Sequence, residues 1–278
     1  MKIGFIGLGN MATAIIGGLL REDTTLNSED GNATVITAAN IIGSAKTEAT
    51  RQKRAEQFGI AVTASNREVA EAADVLVLAV KPQFFPEVIA EIRDAVSENT
   101  LVISIAAGLT LERIAGLFDR NVTAMRLIRC MPNTPALVNA GCTAVVPGPG
   151  ATEADEALCL RLMESFGRAI VIPERLMDAA SVTAGSSPAF VFMFIEALAD
   201  GAVAAGMPRA QAYEFAAAAV AGSAQLVLET GRHPGDLKDM VCSPGGTTIE
   251  GVRALEEGAF RASVMNAISA CVEKAKAL

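Results

Sequence analysis

At its seventh residue the chain passes from a strand-like run through a glycine-rich turn into a helix-like run, "KIGFIGLGNMATAIIGGLL". A buried strand, a tight turn and a helix in that order form the opening of a strand–helix–strand unit. They commit the chain to an α/β sheet. Within the turn, Gly7, Gly9 and Ala12 make the pattern G-x-G-x-x-A. Gly7 permits the turn, Gly9 lets a pyrophosphate approach the backbone, and Ala12 keeps the helix close to the strand. The amino end of that helix then faces the phosphates. In this context the pattern points to dinucleotide binding.

The same alternation continues downstream. "TVITAA", "VLVLAV" from Val75, "LVISIAAG" from Leu101, "VTAMRLIRCM", "CTAVVP" and "AIVIP" read as strands. Helical patterns lie between them, near Glu87 to Val96, at "TLERIAGLF" and from Glu153 to Phe166. Such alternation predicts a doubly wound, mainly parallel sheet. After Pro173 the texture changes and only helices are expected: Pro188 to Ala205, a second from Pro208 to Glu229, a short one, and two more. The expected organisation is a Rossmann-type domain over residues 1–173 followed by an all-α domain over 174–278. The segment "FAAAAVAGSAQLVL", Phe215 to Leu228, is apolar or small around most of its circumference. A helix of that kind is buried on all sides. In so small a domain, part of the burial is expected from a partner chain.

Composition narrows the function classes. Hydrophobic residues make up 51% of the 278, enough for a sizeable core, yet there is no Trp and one Tyr. Small side chains therefore have to do the packing. The net charge is −8 and no basic run occurs, which argues against nucleic-acid binding. No secretory leader pattern opens the chain, and no uninterrupted apolar run reaches the ~18 residues of a membrane span. The richest, "AFVFMFIEALA", is broken by Glu196. Cys130, Cys142, Cys159, Cys242 and Cys271 are odd in number, widely spaced and free of any CxxC pair. That spacing favours free thiols in a reducing cytoplasm. No His, Asp and Glu cluster suggests a metal. A polar insertion, "DTTLNSEDGN", has no assigned role.

Ligands of doubly wound sheets lie at the carboxyl ends of the strands. The stretch after the expected second strand, "ITAANIIGS", lacks the Asp or Glu that would hold the ribose hydroxyls of NAD; it carries Asn40, Ser44 and, further on, Lys46. Without a carboxylate there is no repulsion of a 2′-phosphate, which favours NADPH and leaves NADH possible. "AVKP" places Lys81 and Pro82 after a strand; "SIAAG" places Ala106 and Ala107 where a ring can lie against backbone; "CMPNTP" braces Asn133 and Thr134 between prolines. Taken singly, each also reads as loop stiffening. The lone histidine, His233, sits in a turn and reads as structural, and Lys238 reads as a solvated helical lysine or a base. "CSPGGTTIEG" is a glycine-rich turn opening a helix near the end of the chain, either a simple cap or a second anion cradle.

The residues of "GFIGLGNMA", "AVKP", "RCMPNTP", "HPGDLKD" and "SPGGTTIEG" together resemble the pyrroline-5-carboxylate reductase family over nearly the full length. That family reduces a cyclic imine to proline with NADPH or NADH, and its C-terminal helices interlock two subunits into dimers that often assemble into decamers. The resemblance implies that Ser243 offers its hydroxyl, and Gly246 and Thr247 their N–H groups, to the substrate carboxylate. It further implies that Val241 lines the ring and that the Thr248 hydroxyl reaches the imine nitrogen. For the cofactor it assigns Gly7, Gly9, Asn10 and Met11 to the first loop, Asn40 to the adenosine 2′ side and Asn66 to the adenine ribose. Ala79, Val80, Lys81 and Pro82 would lie along the cofactor, with Ala106, Ala107 and Asn133 near the nicotinamide. Two other readings stay open: a β-hydroxyacid-type dehydrogenase using Lys238, and a non-catalytic NADPH-binding regulator.

Overall fold

The computed structural model describes residues 1–21, 25–27 and 33–276. β1 (Ile3–Ile6) is buried along its whole length, as a strand covered on both faces must be. It leads into α1 (Asn10–Leu19). A separate antiparallel ribbon follows, β2 (Thr25–Asn27) with β3 (Ala33–Val35). The polar insertion expected to begin at residue 23 otherwise lies outside the described residues. The chain then alternates through β4 (Ile41–Ser44), α2 (Glu48–Phe58), β5 (Ala61–Thr63), α3 (Asn66–Ala72), β6 (Val75–Leu78), α4 (Phe85–Ile92), β7 (Leu101–Ser104), α5 (Leu111–Leu117) and β8 (Leu127–Met131). It ends this part with β9 (Gly141–Pro147), α6 (Glu153–Glu164) and β10 (Gly167–Val171).

The large sheet has the order β10-β9-β8-β7-β6-β1-β4-β5 and is parallel throughout except where β9 runs against β8. Succession runs outward from β1 to β4 and β5 on one side and from β6 to β8 on the other, so the strand order reverses beside β1, where ligands of such sheets bind. Alternate residues feed two cores. Ile3, Phe5, Val75, Val77, Leu101 and Ile103 pack with α1 and α6, while Ile6, Leu76, Leu78 and Val102 pack with α3, α4 and α5. Around this sheet four α-helices begin on a side-chain cap: Thr47, Ser65, Thr110 and Thr152 each accept the N–H three residues on.

The second strand of this sheet is β4, not the expected run at 34–39. Ile41 pairs with Ile3, whereas Ala38–Asn40 form a short 3-10 turn before it. Asn40 closes that turn: its Oδ1 accepts the Thr37 N–H at 3.0 Å, and its Nδ2 donates to Met1 O at 3.1 Å. Asn40 therefore stands at the amino-terminal end of the strands, away from the carboxyl edge where a nucleotide would lie.

Two compact units divide between Gly185 and Ser186. The first ends with α7 (Met177–Ala180) and a π-helical turn, Ser181–Ser186, that runs into the second. The second holds α8 (Ser187–Ala204), α9 (Arg209–Thr230), α10 (Pro234–Val241), α11 (Thr247–Glu257) and α12 (Phe260–Lys276). Its buried apolar side chains are Ala199, Ala212, Ala216 and Leu237, while Phe192 and Phe215 stay 64% and 66% exposed. The helix from Glu174 to Ala204 is continuous across the π turn. An 18-residue stretch of it has a mean hydropathy of 1.5, so it is long and apolar enough to cross a membrane by length and composition. The sequence alone, broken at Glu196, did not suggest such a run.

Asp155 illustrates how the first unit is held. It is 1% exposed and receives Arg126 on both oxygens, with Nε at 3.2 and 3.1 Å and Nη2 at 2.5 Å. It also closes a capping box with Thr152. Burial alone would raise its pKa, but the hydrogen bonds from Arg126 and Thr152 prevail and hold the carboxyl below its usual value. Such a group stabilises the fold above its unfolded pKa of about 4, and that stability fades as pH falls through the lowered folded value. Arg126→Ala, which strands the charge, is expected to cost about 3–5 kcal/mol at neutral pH. Urea titrations from pH 7 downward should show the gap to the parent protein narrowing as Asp155 takes up a proton.

Candidate active site

The first loop carries its glycines for separate physical reasons. Gly7 has φ +95°, and a Cβ there would lie 2.9 Å from Ala79 O, so both the turn and the approach of the next strand demand glycine. Gly9 is different. It has an ordinary φ of −74°, and a Cβ built on it meets nothing within 4 Å. The open space lies at the start of α1, whose N-cap is Gly9 itself, with no side-chain cap and no acidic residue in the first turn. The N–H groups of Asn10, Met11 and Ala12 have no helical partner there. An exposed, uncapped helix start below an open cradle fits a pyrophosphate.

A cavity of about 490 Å³ continues from this loop along the carboxyl ends of β1, β4 and β6. Gly7, Asn66, Ala79, Val80 and Lys81 line it, as expected, together with Ser44, Ala45, Lys46, Glu87 and Glu91. The loop after β4 thus supplies Ser44 and Lys46 where Asn40 was expected. Sequence reasoning missed the two glutamates, because they reach the cavity from α4 rather than from a strand end. Arg51 holds the loop after β4 in place, donating to Ala45 O at 2.7 Å and Lys46 O at 3.2 Å.

Farther along the edge, Pro82 starts a short 3-10 turn capped by Lys81. Ala106 is buried, with its N–H on Ser104 Oγ at 3.3 Å, and Ala107 beside it is exposed. Asn133 is 8% exposed. Its Oδ1 accepts the Cys142 N–H at 2.8 Å and its Nδ2 donates to Ala184 O at 2.9 Å. The side chain therefore clamps the loop after β8 to β9 and to the π turn.

In the helical unit the sequence "SPGG" forms a tight turn. Gly246 N–H donates to Ser243 O at 3.0 Å, Pro244 occupies the second position, and Gly245 has φ +69°. These are the marks of a type II turn, which requires a positive φ at its third residue. Gly246 is the N-cap of α11, again without a side-chain cap. A Cβ on it would fall 2.5 Å from Ser243 Oγ, so the serine hydroxyl folds over the helix start. Because Gly246 N–H closes the turn, it is not among the outward donors expected of it. The amides of Thr247, Thr248 and Ile249 are the ones left without helical partners. Val241, Ser243, Thr247 and Thr248 are all exposed.

Two other candidates resolve structurally. His233 is the N-cap of α10, its Nδ1 accepting the Gly235 N–H at 3.0 Å. Lys238 pairs with Asp239 at 2.9 Å, and that hydrogen bond and charge push its pKa up. That pairing favours the ammonium form.

Residues 174–278 match the family model described as pyrroline-5-carboxylate reductase dimerisation, and residues 2–108 match that described as NADP oxidoreductase, coenzyme F420-dependent. The chain is 51% identical to the pyrroline-5-carboxylate reductase of Escherichia coli (strain K12) over 277 residues, covering 100% of this chain and 98% of that one. Among solved structures, the Coxiella burnetii pyrroline-5-carboxylate reductase superposes with a TM-score of 0.89 at 33% identity, covering 99% and 97% of the two chains. The Plasmodium falciparum pyrroline carboxylate reductase with NADP bound gives 0.79 at 29% identity, covering 100% and 97%.

Gly9→Ala separates binding from folding. The methyl enters open space, and the loss of glycine from a helix N-cap costs on the order of 1 kcal/mol. The melting temperature should therefore fall by only a few degrees, while the affinity for NADPH, followed by nicotinamide fluorescence, should fall at least about tenfold, 1.4 kcal/mol.

Proposed function

The chain belongs to the pyrroline-5-carboxylate reductase family, and from that premise we propose that it reduces 1-pyrroline-5-carboxylate to L-proline with NADPH, accepting NADH as well. The observation that carries this reading is the turn Ser243–Gly246 opening α11 on uncapped amides. It is a second anion site, separate in sequence from the first loop and suited to a carboxylate. Gly7, Gly9, Asn10 and Met11 hold the pyrophosphate. Ser44 and Lys46 face the adenosine 2′ side, and Asn66 the ribose. Residues 79–82 lie along the dinucleotide, with Ala106, Ala107 and the Asn133 loop toward its nicotinamide end.

When bound, the dinucleotide supplies a hydride for the imine carbon. The chain supplies orientation. Thr247 and Thr248 amides with the Ser243 hydroxyl fix the carboxylate, Val241 lines the ring, and the Thr248 hydroxyl addresses the ring nitrogen. A threonine hydroxyl is a weak acid, so its part is to position the nitrogen and pass a proton toward it. Reduction is easier when that nitrogen is protonated, because the amine product then carries no negative charge. Holding carboxylate and nitrogen together presents one face of the C=N bond, and such positioning accounts for much of a rate enhancement.

A β-hydroxyacid dehydrogenase would need Lys238 as its catalytic lysine. The ion pair with Asp239 argues against that role, and a non-catalytic binder would leave the "SPGGTT" turn without a purpose. The helical unit serves as the dimerisation element, and its exposed Phe192, Met193 and Phe215 are the faces a second copy covers. We extend this to a decamer built of five such dimers. Five unpaired cysteines support a reducing cytoplasm as its place of work, and the charge of −8 argues against nucleic-acid partners.

Thr248→Val should lower kcat by about 10²-fold or more, within the range of positioned proton-transfer groups, with the affinity for NADPH unchanged. Thr248→Ser should restore most of it. Full activity in the valine variant with an unchanged pH profile would remove Thr248 from the mechanism. Independently, Phe192→Glu places a charge on the dimer face, and sedimentation should show the protein shifting to monomer with a lower melting temperature.

A further inference from the structure

Sites built for NAD carry a carboxylate at the end of the second strand, where it accepts the ribose hydroxyls. After β4 that position is Ser44-Ala45-Lys46, with no acid. A carboxylate nevertheless enters the same cavity from a different element. Glu91, in the last turn of α4, lines it. Its Oε2 accepts from Asn66 Nδ2 at 2.7 Å, and Asn66 Oδ1 accepts from Ser44 Oγ at 2.7 Å.

The direction of this chain is forced. A carboxylate can only accept, so the amide nitrogen must face Glu91, its oxygen must face Ser44, and Ser44 must donate. Glu91 thereby decides which way Asn66 presents its amide. Two such bonds and the width of one amide also bring the carboxylate within about 8 Å of Ser44 Oγ, a single Debye length at physiological ionic strength. Glu91 Oε1 carries no hydrogen bond among the described residues. The opposing charge, Lys46, lines the cavity from the loop after β4.

We propose that Glu91 is a specificity-determining residue for the nucleotide: it stands in for the missing strand-end acid, accepts from an unphosphorylated ribose, and disfavours a 2′-phosphate that Lys46 attracts. The inference rests on reading this cavity as the adenosine end of the dinucleotide site. It assigns to α4 a discrimination that such sheets ordinarily place at a strand end.

The test is isothermal titration calorimetry with AMP and adenosine 2′,5′-bisphosphate, which differ only in the 2′-phosphate, against the full chain and its Glu91→Gln and Glu87→Gln variants. Glutamine keeps an acceptor for Asn66 and removes the charge. Glu91→Gln should raise the preference for the bisphosphate about fivefold or more at low salt, as expected for a carboxylate and a phosphate dianion at this separation. The gain should shrink as salt is added, and Glu87→Gln, whose carboxylate has no hydrogen bond to Asn66 to hold it beside Ser44, should change the preference less than about twofold. An unchanged preference in Glu91→Gln, or an equal gain in Glu87→Gln, overturns the assignment and leaves the cofactor site intact. A Glu91→Gln variant that melts normally yet binds neither nucleotide also overturns it, making Glu91 a scaffold. If the parent chain binds neither, the cavity is not the adenosine site, and the cofactor reading fails with the proposal.

Discussion

Peptide N–H groups at the start of a helix have no acceptor inside it, and how the chain deals with them organises its function. At α2, α3, α5 and α6 a serine or threonine side chain takes up one of those donors. At α1 and α11 the N-cap is glycine and no side chain among the described residues does so. A glycine N-cap in water forgoes about a few tenths of a kcal/mol that a polar cap would contribute. Two such starts, each beneath a glycine turn of defined geometry, are consistent with a chain that leaves the acceptor to be brought by its ligands. One helix start suits a dinucleotide pyrophosphate and the other a small carboxylate.

The sheet explains why the first of these is where it is. Strand order reverses beside β1, so the carboxyl ends of β1, β4 and β6 open a crevice that the helices on either face do not fill. Gly7 lets β1 turn into α1 within contact of Ala79, the residue that follows β6. Around that crevice the side chains are fastened mostly to backbone: Arg51 to the carbonyls after β4, Ser104 to Ala106, Asn133 to Cys142 and Ala184. Rigid loops of this kind hold a ligand's atoms in place without themselves reacting.

Much of this was legible in the residues. Strands buried on both faces show as unbroken apolar runs, and "SPGGTT" carries its turn type in its proline and glycines. Asn40 was misplaced because "TVITAA" has the β-branched texture of a strand, whereas the sheet takes the shorter "IIGS" after a turn that Asn40 itself closes. Pairing of Ile41 with Ile3 settles that register, and pairing is not written in local texture. Glu91 escaped notice for a related reason: a helix residue enters a strand-end cavity only once the helix is packed. Phe215 and Leu228 lie on the helix for which part of the burial was expected from a partner chain, and within one chain they remain exposed. Residues 174–278 match a dimerisation family model, in keeping with that expectation.

The account stands most directly on one measurement. The purified chain would be mixed with NADPH and 1-pyrroline-5-carboxylate, with nicotinamide absorbance followed and the product identified. Prompt oxidation of NADPH matched mole for mole by L-proline is the predicted result. Protein that binds NADPH tightly yet leaves it unoxidised in the presence of the imine would contradict the account, because both anion sites would then be present without the reaction they are held to serve.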